Sequence, residues 1–206
     1  MGDSVLTWLF ETKAVRVCPE GAPFWYTSGK LGPFYINTHF LYGSQQEAEA
    51  LLDTIEQAAA GDRLLFGRTV LQAVRAQYAK NEIYHGLMDL MIERARGMAF
   101  DFVSGGERRD FFFSLLIADR LGKPHVSIFK DLQTVCDEAG FESARPAPQA
   151  GLAGKRALHV ADLVTEASSY VRAWIPAVEA LGAKIGCSLA VVDRDQGGRE
   201  VLAEAG

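Results

Sequence analysis

The rhythm of polar and apolar positions changes twice along the chain. Residues 1–43 read as a helix followed by an extended, aromatic-rich section, "PFWYTSGKLGPFYINTHFLYG". Residues 44–60, "SQQEAEALLDTIEQAAA", carry a helix signature: Ser44 is a natural N-cap, Glu47 completes a capping box, and Gly61 follows the end. Two further helical patterns cover 67–80 and 82–96, and Leu87, Met88, Leu90, Met91 and Ile92 supply the apolar face of the second.

From residue 99 onward short apolar runs alternate with helical patterns. "AFDFVSGG" is a strand ending in two glycines, and "DFFFSLLIADRLG" is a helix that Asp110 should cap and Gly122 should stop. "HVSIFK" and "RALHVADLV" are strands, a helix is expected over 168–181, and "KIGCSLAVVDRD" is the last strand. Such βα succession predicts an α/β fold with a mostly parallel sheet flanked by helices. The segment 131–154 has two prolines (Pro146, Pro148), three glycines (Gly140, Gly151, Gly154) and no sustained period. A loop this long is expected to be a lid or a hairpin. One domain over 1–206 follows, made of an N-terminal hood segment (1–43), a helical region (44–98) and an α/β core (99–206).

Composition narrows the class. With 49% hydrophobic and 23% charged residues over 206 positions the chain can bury an ordinary core. A net charge of -5 argues against non-specific binding to nucleic acid or anionic membrane. No apolar run reaches the roughly 20 residues of a membrane span, and the start "MGDSVLTWLFETK" lacks the basic region of a secretory signal. The 3 cysteines are scattered and odd in number, which fits a reducing cytoplasm; the 4 histidines form no local ligand motif, so no metal held by protein alone is expected.

Candidate chemistry lies where the strands end, because in open α/β sheets ligands bind beyond the carboxyl ends of the strands. Those ends read "VSGGERRD", "IFKD", "ADLVTEASS" and "VVDRD", all polar or glycine-rich. In "ALHVADLVTEASSY" a strand runs into a hydroxyl-rich turn opening a helix, where unpaired N–H groups and the helix dipole welcome an anion. Thr165, Ser168 and Ser169 add hydroxyl donors, and Asp162 is placed to hold ribose hydroxyls. Glu166 opposes this: a carboxylate about 4 Å from a phosphate charge repels it by roughly 4 kcal/mol at an effective dielectric near 20. Either Glu166 only complements the helix dipole, or it plugs the site with the protein's own anion. In the loop 105–109, Gly105 and Gly106 permit close backbone approach, and Arg108 and Arg109 suit bidentate oxyanion contacts.

With these residues the chain resembles the type I phosphoribosyltransferases, whose phosphoribosyl pyrophosphate (PRPP) loop is an apolar strand, two acids, two apolar residues and a Thr/Gly-rich turn. Here Ala161 takes the place of the first acid, Asp162 is the second, Thr165 matches, and Glu166 and Ala167 replace a small residue and a glycine. "YTSGKLGPFYIN" and "AVVDRDQGG" narrow the resemblance to orotate phosphoribosyltransferase, and it spans about residues 20–206.

The resemblance implies that Asp162 holds the ribose, that residues 165–169 (Thr165, Glu166, Ala167, Ser168, Ser169) wrap the 5′-phosphate, and that Gly105, Gly106, Glu107, Arg108, Arg109 and Lys130 meet the pyrophosphate. Asp162 and Lys130 would be the catalytic pair. Lys30, Phe34, Tyr35 and Arg194 would form the base site, with Arg194 pairing with a substrate carboxylate. It further implies Mg²⁺ entering with PRPP, an orotate-like base as co-substrate, and a cytoplasmic homodimer. The family's flexible loop carries a Lys and a His, whereas residues 131–154 contain neither, and Arg145 is the only cation there. Two functions stay open: pyrimidine-type phosphoribosyl transfer, and an inactive protein of that fold that binds a nucleotide or anion in a regulatory role.

Overall fold

The computed structural model describes residues 2–25 and 31–205. Helix α1 (Gly2–Glu11) leads into the short strands β1 (Val15–Val17), β2 (Phe24–Trp25), β3 (Leu31–Gly32) and β4 (Phe34–Ile36), which pair as two small antiparallel ribbons. A 3-10 turn over Thr38–Tyr42 then enters α2 (Gln45–Ala60). Ser44 caps it as expected: its Oγ accepts the Glu47 N–H at 3.2 Å, and its hydroxyl meets the Glu47 carboxylate at 3.1 Å.

Helices α3 (Phe66–Lys80) and α4 (Glu82–Arg96) follow within a residue of the expected limits. Next come β5 (Phe102–Gly106), α5 (Phe111–Leu121), β6 (His125–Ile128), β7 (Thr134–Asp137), β8 (Ala144–Pro146) and β9 (Arg156–Val164). The segment 131–154 is thus built on the hairpin β7–β8. After β9 a π-helical turn, Tyr170–Trp174, precedes the short α6 (Ile175–Glu179), then β10 (Lys184–Asp193) and α7 (Gly198–Glu204). The regular helix expected over 168–181 is interrupted because Pro176 has no N–H to offer, and Ile175 N–H reaches back to Tyr170 O.

The central sheet has six strands in the order β10-β9-β5-β6-β7-β8. The pairs from β10 to β6 are parallel, and β7 and β8 add an antiparallel edge. Helix α5 lies between the sheet and α3 and α4, so Phe111, Phe112, Phe113, Leu115, Leu116 and Ile117 are all 0% exposed, which explains why its sequence is apolar on every side. On the opposite face Val178 and Leu181 pack with Phe102, Val126, Ile128 and Ala157.

From β5 the chain crosses to β6 on one side, and from β9 to β10 on the other. The gap between β5 and β9 is therefore the topological switch point of the sheet, where ligand crevices form. The β5–β9 ladder runs from Phe102↔Ala157 to Ser104↔His159 and stops there, so the strands part toward their carboxyl ends.

Candidate active site

A cavity of about 290 Å³ opens where β5 and β9 part. Residues 107–110 line one side and 161–165 with 167–170 the other, and Trp174 closes the back. The sequence motifs from the two strand ends thus meet, although 52 residues separate Asp110 from Asp162.

Asp162 sits at the centre. Its Oδ2 accepts the Thr38 hydroxyl at 2.6 Å, and its N–H donates to Asp110 Oδ1 at 3.0 Å. Burial and the neighbouring Asp110 carboxylate push the Asp162 carboxyl up to about 6, while the Thr38 bond and the Arg109 charge oppose the rise. Thr38 is fully buried and comes from the 3-10 turn of the hood, so the hood contacts Asp162 from behind the cavity lining. Sequence reasoning missed it, because a contact spanning 124 residues leaves no local signal.

The turn after β9 keeps hydroxyls around the cavity. Thr165, Ser168 and Ser169 line it, and Ala167 adopts a left-handed φ of 53°. Glu166 is exposed and does not line the cavity. The carboxylate that could plug the site is thus not among the residues that line it. Gly198 braces this turn from α7: a Cβ added there would come within 2.4 Å of Thr165 O.

The glycines of 105–109 are constrained by internal packing. A Cβ on Gly105 would lie 2.3 Å from Ser114 Oγ, and one on Gly106 would lie 2.4 Å from the Trp174 indole. Internal packing already demands glycine at both positions. Glu107 turns its Oε2 to the Lys130 N–H at 2.8 Å and so links the ends of β5 and β6. Arg108 is exposed and ion-paired with Glu56 of α2. Arg109 lines the cavity and makes no ion pair among the described residues. Its charge helps burial to hold the buried His39 imidazole down to about 3. Lys130 is exposed and is not among the residues that line the cavity.

Asp110 is not the side-chain cap expected for α5. Its carboxylate makes no capping bond and accepts the N–H groups of Gly106 (2.9 Å, Oδ2) and Asp162 instead. Of the residues expected to meet a base, Phe34 and Arg194 come together, with the guanidinium carbon 5.2 Å from the ring centroid. The Arg194 N–H donates to Val164 O at 2.9 Å, which sets this pair beside the cavity rim. Tyr35 packs edge-on to Phe24, with ring centroids 6.2 Å apart, and Lys30 lies outside the described residues. In the hairpin, Arg145 is ion-paired with Glu138.

Solved structures decide the fold. Over 98% of its length the chain superposes on UMP synthase from Leishmania donovani (TM-score 0.57, 18% identity), spanning 34% of that longer chain. It superposes likewise over 98% of its length on orotate phosphoribosyltransferase from Aeropyrum pernix (TM-score 0.54, 19% identity, 89% of that chain). It covers 100% of its length on the Mycobacterium tuberculosis H37Rv orotate phosphoribosyltransferase in complex with inorganic phosphate (TM-score 0.53, 13% identity, 91% of that chain). The fold is that of the phosphoribosyltransferases. No family model matches the chain, and no curated protein matches it by sequence.

In this phosphoribosyltransferase fold the crevice between β5 and β9 is the only place where the cavity, the hydroxyl-rich turn and Arg109 coincide among the described residues. Those residues hold no group of three His, Cys, Asp or Glu able to take a metal ion, and both Asp110 oxygens are spent on amides. Among the described residues no helix is long and apolar enough to cross a membrane.

Proposed function

We propose that the cavity binds the ribose 5-phosphate moiety of a phosphoribosyl compound, and that the protein transfers that moiety from PRPP to a pyrimidine-type base, with orotate as the first candidate. The observation that carries this reading is the convergence of Arg109, Asp162, Thr165, Ser168 and Ser169 on one cavity at the switch point of the sheet. Ser168 and Ser169 present hydroxyls to the 5′-phosphate, helped by the backbone of the turn. Asp162 accepts ribose hydroxyls, and Arg109 offsets negative charge nearby.

Catalysis on this reading is electrostatic stabilisation of a positively charged ribosyl centre and a departing pyrophosphate. Mg²⁺ bound with PRPP would help to offset the charge of the departing pyrophosphate beside Arg109, and no residue is assigned to hold it alone. Phe34 and Arg194 form the wall against which an anionic planar base stacks and pairs. A homodimer is part of the same proposal, and sedimentation of the purified chain tests it.

A second reading is favoured by three placements: Ala161 stands where the family resemblance implies an acid, Arg145 is engaged by Glu138, and Lys130 is not among the residues that line the cavity. On that reading the protein binds a nucleoside monophosphate and does not turn it over. One experiment separates the two. The protein is mixed with PRPP, Mg²⁺ and orotate, loss of orotate absorbance is followed, and ribose 5-phosphate binding is measured by calorimetry. Turnover supports the transferase. Binding without turnover leaves the second reading, and absence of both removes the phosphoribosyl site.

A further inference from the structure

We infer that Asp110 is a positioning residue that clamps the two ligand loops of this site at a set separation. The inference rests on the phosphoribosyl reading for what the loops bind, but the clamp itself is a matter of geometry. Beyond Ser104↔His159 the β5–β9 ladder ends. Gly105 and Gly106 pair with Ser127 and Ile128 of β6, and Val160 and Ala161 pair with Leu189 and Ala190 of β10. Backbone N–H groups facing the widening gap have lost their ladder partners and need another acceptor.

The Asp110 carboxylate supplies it. Oδ2 accepts Gly106 N–H at 2.9 Å and Oδ1 accepts Asp162 N–H at 3.0 Å, so one side chain spans the split. Asp110 is 6% exposed, where a charge-assisted bond to each amide is stronger than a neutral one.

A buried wall stands behind the carboxylate. His159 is fully buried, its Nδ1 lies 3.0 Å from Ser104 Oγ, and its Nε2 stops 3.6 Å from Asp110 Oδ2. Tyr170 packs edge-on to the imidazole at 4.8 Å, and Trp174 lies nearly parallel to it at 6.1 Å. With the imidazole too far away to take over an oxygen, both stay on the loop amides. The groups that face the Asp110–Asp162 pair are Arg109 from the loop, His159 from β9, Tyr170 from the π-helical turn, and Thr38 from the hood.

Asp110→Asn tests the assignment. The amide keeps the size of the side chain but turns one acceptor into a donor facing an N–H group, and it removes the negative charge beside Asp162. Ribose 5-phosphate affinity, measured by calorimetry from pH 5 to 9, should fall roughly tenfold or more. The pH midpoint of binding should also move down, because the charge that raises the Asp162 carboxyl has gone. A role in packing alone lowers affinity without moving the midpoint, and that result overturns the inference, as does wild-type behaviour of the variant.

Amide hydrogen exchange of the unmodified protein gives an answer even where the variant does not fold. Gly106 and Asp162 should be protected to the same degree as the core amides of β5, and exchange at open-loop rates overturns the clamp. Failure of ribose 5-phosphate to bind the unmodified protein strikes the functional reading instead, and the exchange result stands apart from it.

Discussion

Replacing Thr38 with valine removes the buried hydroxyl bonded to Asp162 and keeps the shape of the side chain. The bond it breaks, 2.6 Å from Thr38 Oγ1 to Asp162 Oδ2, favours the ionised carboxylate. Hydrogen bonds to charged groups contribute about 1.5–3 kcal/mol, and 1.36 kcal/mol corresponds to one pH unit. Starting from a carboxyl already raised to about 6, Thr38→Val should move its titration up by roughly one to two pH units.

The sign of the effect on binding follows. Ribose hydroxyls donate to the ionised form, so affinity for ribose 5-phosphate rises with pH through the Asp162 midpoint. Near pH 6.5 the variant should bind more weakly than wild type. By pH 9 it should bind as tightly or tighter, because Thr38 no longer competes for Oδ2. The phosphate ligand itself loses a proton near pH 6, but it does so identically with both proteins, so the difference between their curves reports Asp162. Calorimetric titrations from pH 5 to 9 check this, with the carboxyl followed by ¹³C NMR. Coincident midpoints, or an equal loss of affinity at every pH, would refute the reasoning.

Three further outcomes follow from the same structure. Gly106→Ala sets a methyl 2.4 Å from the Trp174 indole, so stability should fall by roughly 1–3 kcal/mol in urea unfolding, with altered Trp fluorescence as the ring is displaced into the cavity. Glu166→Gln should change ribose 5-phosphate affinity by less than about threefold in calorimetry, since the side chain is exposed and outside the cavity; a large gain would mean that its charge does reach the ligand. Asp137, 1% exposed and with Oδ2 lacking a hydrogen-bond partner among the described residues, is raised by burial from 3.8 to about 7. Because the folded state holds this proton more tightly than the unfolded chain, stability falls as pH climbs from about 4 through 7. That loss amounts to at most about 4 kcal/mol, from roughly three pH units at 1.36 kcal/mol each. Asp137→Asn should therefore stabilise the protein at pH 8 and have little effect at pH 4, as read from melting temperatures at the two values.

The elements most legible in the sequence are those whose signals are local. Strand β9 has the limits that its apolar run suggests, α3 and α4 are within a residue, and Ser44 caps α2 as its spacing to Glu47 implies. The gathering of residues 105–110 and 161–170 was legible too, because a βα succession places strand ends on one edge. What was not legible depends on partners distant in the chain. Asp110 stands just before a helix and looks like a cap, yet its acceptors are spent on amides at 106 and 162. Gly105 and Gly106 also make room for Ser114 and Trp174, which no local pattern announces. That Glu166 and Lys130 are exposed and absent from the cavity lining is not encoded by any spacing rule.

The central claim, that the turn at 165–169 and Asp162 seat a sugar phosphate, is tested most directly by a crystal structure of the protein with ribose 5-phosphate. The account predicts phosphate oxygens within hydrogen-bond reach of Ser168 and Ser169, and a ribose hydroxyl on Asp162 in place of the Thr38 contact. Electron density for the sugar phosphate elsewhere on the molecule, with the Thr38–Asp162 bond intact and the cavity filled by water, would contradict it.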